Sequence, residues 1–430
     1  MRDETDPEFT KSFDMFVRGQ EICTGGQRIH LAEDLRKSMR AAGIAENGME
    51  QYLSAIDFGA PPHGGAGLGL ERLVMLILNL GDVRNATLFH RDPKSLPEKP
   101  PALPHPEVDT TRHHDRDEVV PLEKLIANYG DASNTSWLDD RFELWRHNTG
   151  GVVGYVRQNK FAMITGDPLC DERQYHQVIQ DFVTFVETEL KLTPVWMLVS
   201  DEVQQILGRK LGWRTLTCTE EQRVDGGTHH EASGHDERRA EKEGVQVREI
   251  TPDQDFIERA ERSIEEWKAQ RNDRGKQVHL TEVRPWVDQE HRRYFVAEKD
   301  QDGDRHIYAL VVLAQLAPRH GWQVKWALDF PGSPSGIIEV VVSRALGAVS
   351  GPVTFGAGVS GKLKPGEHLG GVRAKFLART YTAVATSLRL GKKSGFREKF
   401  GAKGEEVYIC YPRHGVSVRD LDEIVKFFKD

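Results

Sequence analysis

The chain has 430 residues, of which 38% are hydrophobic and 29% charged, with a net charge of −8. That length exceeds one ordinary core, so a globular, soluble protein of two or three domains is expected. The amino terminus, MRDETDPEFTK, lacks the apolar stretch of a secretory signal, and the most apolar run, LVMLILNL at 73–80, is too short to cross a bilayer, so any membrane contact is expected to be peripheral.

The first stretch to stand out is glycine-rich, GAPPHGGAGLGLERL at 59–73. Gly64, Gly65, Gly67 and Gly69 permit close backbone approach and predict a tight turn. The following GLERLVMLIL predicts an amphipathic helix whose first turn carries Glu71 and Arg72. An arginine held there suits a polyphosphate.

Residues 94–118, KSLPEKPPALPHPEVDTTRHHDRDE, are proline-rich and poor in apolar side chains. They predict a linker over 98–118 that divides a short piece, 1–97, from a long remainder. In the remainder, 121–129 reads as a helix and FELWRH, VVGYVRQ and KFAMITGDP as successive strands. QYHQVIQDFVTFVETELKL then places Val178, Phe182, Phe185, Val186 and Leu190 on one helical face. PVWMLVS predicts a buried strand, EVQQILGRKLG a helix and WRTLTCT a closing strand. The polar stretch at 226–244 predicts a loop or a joint between lobes.

The order then repeats. A helix over 253–271, with Phe256, Ile257, Ala260, Ile264 and Trp267 on one side, precedes the strands YFVAEKD, HIYALVVLAQLA and QVKWALDF. The helix IIEVVVSRALGAV, the strand PVTFGAG, a helix over 371–390 and the strand EVYICYP follow. Three antiparallel strands, then helix, strand, helix, strand, is the order of an acetyltransferase-like fold. The expected class is therefore α/β (α+β), with tandem acetyltransferase-like (GNAT-like) lobes at 119–240 and 241–430.

Cys23, Cys170, Cys218 and Cys410 form no close pair and no metal-ligand spacing, so buried thiols in a reducing cytosol are expected and no metal site. The histidine pairs at 113–114 and 229–230 read as solvated loop residues. Charge is distributed unevenly. Between Val372 and Lys403 nine Lys or Arg stand against the single acid Glu398, so that segment carries +8 and the rest of the chain −16. A charge run is usually a solvated face, but one this one-sided, broken by Phe376, Tyr381 and Phe396, also suits a phosphate backbone. Arg373, Lys375, Arg379, Lys392 and Lys393 are the candidate contacts to such a nucleic-acid backbone. GAGVSG at 356–361 matches a dinucleotide fingerprint, yet no acid follows at about 20 residues to hold a ribose. A glycine-rich strand end lining a cleft is the expectation there.

FDMFVRGQEICTGGQRIH (13–30), the glycine-rich stretch and NLGDVRNATLFHRDPKSLP (79–97) together resemble the end of the catalytic domain of archaeal and eukaryotic aspartyl-tRNA synthetases. The glycine-rich stretch is similar to class II motif 3. The resemblance implies a partial class II antiparallel sheet. It also implies that Arg72 contacts ATP, Glu21 helps to hold the Mg-bound nucleotide and Arg28 pairs with the aspartate carboxylate, in a pocket where Thr24 replaces the usual serine. A planar, permanently charged fork suits that carboxylate. Motifs 1 and 2 are not found before residue 12, so this chain is not expected to activate aspartate by itself. A homodimer is expected only through a complete synthetase domain.

The remainder resembles another family. NYGDASNTSWLDDRFELWRHNTGGVVGYVRQNKFAMITGDPLCDE and the closing SGFREKFGAKGEEVYICYP are similar to the transferase domain of the bacterial multiple peptide resistance factors, which move an amino acid from aminoacyl-tRNA onto a lipid hydroxyl. By that likeness Asp329 matches the aspartate of a D-L-M-R motif whose arginine is Gly332 here. Lys399 and Arg397 match the closing basic motif, and Glu339 an acidic position. Asp329 equally suits a cap on the turn before Pro331, and Glu339 an ordinary helix position. The fusion resembles the fungal ergosteryl-aspartate synthases. That implies transfer of aspartate from aspartyl-tRNA(Asp) to the 3β-hydroxyl of ergosterol, in the cytoplasm and at membrane surfaces, with no cofactor for the transfer and ATP and Mg only for a complete synthetase half. Aspartate–tRNA ligation by a full-length fusion, aminoacylation of phosphatidylglycerol and a non-catalytic tRNA-binding module are the alternatives.

Overall fold

The computed structural model describes the chain apart from residues 1–5, 7, 45, 47–48, 90–101, 113–118, 228–233, 273–281, 302–303, 372–373, 376, 378–393, 415–419, 421–426 and 428–430. The chain divides into two compact units, Met1–Lys99 and Pro100–Asp430. Both histidine pairs and most of the helix expected over 371–390 fall outside the described residues.

In the first unit β1 (Ser12–Val17) and β2 (Gln20–Gln27) form a hairpin whose turn residues, Arg18 and Gly19, both have positive φ. Helices α1 (Ala32–Ala41) and α2 (Glu50–Asp57) lead to β3 (Gly64–Leu68), which pairs antiparallel with β2, and then to α3 (Leu70–Leu78). The glycine-rich stretch is thus a strand where a turn was expected. Its glycines act through the side chains they omit. An ideal Cβ at Gly65 would sit 2.6 Å from Nε of Arg28, and one at Gly25 2.7 Å from the Phe13 ring. The strands accommodate those large groups only because nothing projects there.

The second unit begins with α4 (Leu122–Tyr129), β4 (Glu143–Arg146), β5 (Val152–Gln158), β6 (Phe161–Thr165), α5 (Tyr175–Thr188), β7 (Thr193–Val199), α6 (Asp201–Gln205) and β8 (Arg214–Asp225). There follow α7 (Gly234–Lys242), β9 (Gln246–Ile250), α8 (Gln254–Asn272), β10 (Arg292–Gln301), β11 (Asp304–Gln315), β12 (Trp322–Asp329), α9 (Ile337–Gly347), β13 (Pro352–Pro365), α10 (Ser394–Glu398) and β14 (Lys403–Tyr411). Apart from the helix over 371–390, the strands and helices expected in this unit are present, with two differences in extent. Strand β8 runs on through the charged EEQR segment, and part of the stretch read as a loop, 226–244, is helix α7.

The strands form a single eleven-stranded sheet in the order β4-β5-β6-β7-β14-β8-β13-β12-β11-β10-β9. Among the described residues β6–β7 and β12–β13 are the parallel pairs. Strand β14, from the end of the chain, lies between β7 and β8, while β13 covers the other edge of β8. The segments 119–240 and 241–430 therefore share one hydrogen-bonded sheet, because both edges of β8 are satisfied by strands that come after residue 350.

Helix α5 packs through Val178, Ile179, Phe182, Val183 and Val186 onto Trp196, and α8 through Phe256, Ala260, Ile264 and Trp267 onto β10–β12. Within the stretch read as a linker, Pro106–Val108 forms a 3-10 turn and Val108 is buried. One buried side chain explains this: Asn128 accepts from the His105 N–H at 2.9 Å and donates to its carbonyl at 2.7 Å. Tight packing also sets a testable limit at Gly154, where an ideal Cβ would lie 2.4 Å from the buried Trp137 ring. Gly154→Ala is expected to lower stability by about 1–3 kcal/mol through overpacking, seen as an earlier thermal transition.

Candidate functional site

Strands β12 and β13 pair at only two positions, Trp322 with Val353 and Gln323 with Thr354, and then separate. Two other elements bring side chains to its arms. The capping box of Asp131 and Asn134 starts the 3-10 helix Ala132–Leu138, which brings Thr135 to β12. There Thr135 Oγ1 donates to Gln323 at 2.7 Å and accepts from Lys325 Nζ at 2.8 Å. On the other arm Arg397 Nη1 donates to the Gly356 carbonyl at 3.2 Å. Gly358 leaves room for this, since an ideal Cβ would lie 2.9 Å from the same nitrogen.

The closing basic motif has a simple physical form. Phe396 and Phe400 pack edge to face at 5.3 Å, and Phe400 stacks on toward the buried Phe355. These aromatics anchor α10 to the core and leave Arg397 aimed at β13, while Lys399 meets Glu339 on α9 at 2.7 Å. Lys399 is half-exposed, so Glu339→Gln is expected to change unfolding stability by only about 0.5 kcal/mol, checked by denaturant titration.

Behind Arg397 lies a buried charge cluster. Arg223 contacts Asp131 at 2.6 Å, Glu405 at 2.9 Å and Glu221 at 3.3 Å. Burial, reinforced by the negative charge of Asp131, pushes the Glu221 carboxyl far up from its ordinary range. The Arg397 guanidinium is shifted down by burial, which Glu221 partly offsets. Burial, with Arg292 adding to it, brings the Lys325 ammonium down to about 7. Asp131, Glu221, Arg223, Arg292 and Lys325 were not singled out from sequence. The available signal was charge inside apolar strands: Lys325 within QVKWALDF, and Glu221 and Arg223 in the run taken to end β8.

Of the predicted catalytic residues, the structure joins Glu339 with Lys399 and directs Arg397 separately into the opening. Asp329, at the end of β12, accepts a hydrogen bond from Ser333 Oγ and so holds the turn that follows. Lys375 is exposed, whereas Arg373, Arg379, Lys392 and Lys393 lie outside the described residues. All four cysteines are buried and none is in a disulfide, and burial pushes the Cys218 thiol up to about 12. Among the described residues no cluster of three His, Cys, Asp or Glu could hold a metal ion.

In the first unit Arg72, at the start of α3, donates to the Glu21 carbonyl at 2.7 Å and lies 3.3 Å from its carboxylate. Both line a cavity of about 460 Å³ together with Gly67, Gly69 and Arg84. Thr24 and Arg28 are exposed and do not line it; Arg28 sits instead beside Gly65.

Comparison with known proteins separates the same two parts. Residues 1–93 match the class II tRNA synthetases (D, K and N). Over 93 residues the chain is 48% identical to aspartate–tRNA ligase 1, cytoplasmic, of Arabidopsis thaliana, covering 22% of this chain and 18% of that protein. It is 46% identical over 96 residues to the cytoplasmic aspartate–tRNA ligase of Homo sapiens, covering 19% of it. The chain thus spans about a fifth of the curated relatives it matches. The structure of L-PGS from Bacillus licheniformis shares the fold, with a TM-score of 0.57 at 15% identity over 73% of this chain and 98% of that one. The C-terminal domain of a putative lysylphosphatidylglycerol synthetase from Agrobacterium fabrum gives a TM-score of 0.58 at 15% identity over 72% and 96%. Residues 124–411, well over half of the chain, match the family described as phosphatidylglycerol lysyltransferase, C-terminal, and the chain belongs to that family.

Proposed function

We propose that this chain is a tRNA-dependent lipid aminoacyltransferase that moves aspartate from aspartyl-tRNA(Asp) to the 3β-hydroxyl of ergosterol. The observation that carries the reading is the cationic Arg397 held in the β12–β13 opening beside a buried acid, in a family member that also carries an aspartyl-type synthetase segment. In the reaction the sterol hydroxyl attacks the carbonyl of the aminoacyl ester, forming a C–O bond and a tetrahedral oxyanion. Arg397, with Lys399 nearby in sequence, stabilises that charge or the terminal phosphate of the tRNA. Asp329 or Glu339 accepts the hydroxyl proton, and collapse of the intermediate returns a proton to the departing ribose oxygen of the tRNA. The donor ester is already activated, so the transfer needs no cofactor.

The basic segment from Arg373 to Lys393 is assigned to the tRNA. Among the described residues no helix is long and apolar enough to cross a membrane. In this reading the lipid acceptor is reached from the cytoplasmic face. Glu21 and Arg72 would face the phosphates of ATP and its Mg ion in a complete, dimeric synthetase half, with Arg28 and Thr24 toward aspartate.

Incubation of the chain with pre-charged aspartyl-tRNA and ergosterol vesicles is expected to yield an alkali-labile aspartyl lipid. Product with phosphatidylglycerol but none with ergosterol would move the acceptor to a phospholipid. Tight tRNA binding without transfer to either lipid would leave a binding module.

A further inference from the structure

Two cations are enclosed together on the second unit. Arg292, the first residue of β10, is 9% exposed, and its Nε and Nη1 have no hydrogen-bond partner among the described residues. The indole Nε1 of Trp326 is buried and equally unpartnered among them. Lys325 lies over the Trp326 ring at 5.5 Å, and Thr135 is its hydrogen-bond acceptor. All four residues line one small cavity of about 20 Å³.

The other charged groups nearby offset this pair only in part, Asp139 acting on Lys325 and Asp288 on Arg292, and they leave the Arg292 and Trp326 donors unmatched. Asp139 is occupied by the backbone N–H groups of Arg141 and Glu282, each at 3.2 Å. Arg284 pairs with Asp140 at 3.0 Å, and Glu282 is exposed. Buried donors without partners are costly, and two like charges enclosed together are more so. An anion accepting from Arg292 and Trp326 while facing Lys325 relieves both. The space decides its size, because about 10–15 Å³ holds a single water. A small anionic end such as a carboxylate suits that space.

The position is informative as well. Lys325 lies two residues beyond the last paired residue of β12, and Gly356, which holds Arg397, two beyond the last of β13. Gln323 links the arms, bonding Thr135 on one side and lying 3.5 Å from the Cβ position of Gly356 on the other.

We propose that Arg292, Lys325 and Trp326 form the subsite for the β-carboxylate of the aspartyl donor, and so set the preference of the transferase for an acidic amino acid. The inference rests on the proposed aspartyl transfer but has its own readout. The full chain, Lys325→Met and Lys325→Arg are compared in two assays: transfer from tRNA charged with aspartate or with asparagine, and calorimetric binding of isoasparagine, whose β-carboxylate is free.

In Lys325→Met the aspartate-to-asparagine ratio is expected to fall about tenfold or more, and isoasparagine binding to weaken similarly, while Lys325→Arg retains both. The Met variant loses a half-enclosed cation and is expected to unfold at no lower a temperature than wild type. Equal ratios and equal isoasparagine binding in wild type and Lys325→Met would overturn the subsite. Isoasparagine binding that depends on Lys325, with no lipid formed from either donor, would support the subsite and overturn lipid transfer instead.

Discussion

Arg397→Ala is expected to slow aminoacyl transfer about 100- to 1000-fold, the loss typical of one preorganised donor to a developing oxyanion. The residue is well placed for such a role. Its helix is pinned by Phe396 and Phe400, its guanidinium touches the Gly356 carbonyl, and its surroundings are largely dry. A donor fixed beforehand in a low-dielectric opening acts without reorganisation, and only Arg keeps its charge there at every working pH. Gly358→Ala supplies an independent check, because the added methyl would press on Nη1 without removing the charge. It is expected to reduce transfer by a smaller factor. Single-turnover rates with pre-charged tRNA measure both. Unchanged rates in Arg397→Ala, in protein with a normal unfolding transition, would remove Arg397 from the chemistry and leave it a structural tie to β13.

Asp167→Asn is expected to stabilise the protein at pH 8 and to do little below pH 4. Asp167 follows Gly166, where the positive φ turns the chain out of β6, and its Oδ1 accepts from Ser200 N at 3.0 Å. Burial brings its carboxyl up from 3.8 to about 6, against the opposing hydrogen bonds from Ser200. A carboxyl raised in the folded state favours folding while protonated. That contribution is complete below the unfolded value of 3.8 and is lost as pH rises through about 6. Each pKa unit is about 1.4 kcal/mol, and partial contact with solvent reduces the total, so about 2 kcal/mol separates wild type from Asn at pH 8. Denaturant midpoints between pH 4 and pH 8.5 report this directly. Curves that stay parallel for the two proteins would show that the carboxylate is ionised in the fold without strain.

Much of the architecture was readable from apolar periodicity. The strands VVGYVRQ, PVWMLVS and HIYALVVLAQLA and the helices at 175–188 and 254–272 all occur where their patterns placed them. The helical face read for α5 is the one that packs: Val178, Phe182 and Val186 are buried, Phe185 and Leu190 are half-buried against the same cluster, and Ile179 and Val183 widen the stripe. The errors have a common source. Charge was taken to end β8, and glycine to make a turn of β3, because local composition does not reveal what lies across the sheet. In β8 the charges face one another and Arg397, and in β3 the absent side chains make room for Arg28.

The site divides along the same line. Arg397, Lys399, Glu339 and Asp329 could be named from a short motif and its resemblance, but their partners could not. Glu21 and Arg72 meet across 51 residues, Lys325 and Thr135 across 190, and Arg397 and Gly356 across 41. By itself the sequence determined the two-part organisation, the element types and the concentration of positive charge after Val372, since these depend on composition and on periods within one segment. Only the tertiary structure decided that β14 enters between β7 and β8, that β12 and β13 part at Gln323, and that Arg292 and Lys325 share one cavity. Strand pairing and burial are set by hydrogen-bond edges and packed surfaces far apart in the chain, and no local pattern encodes which distant edge satisfies which.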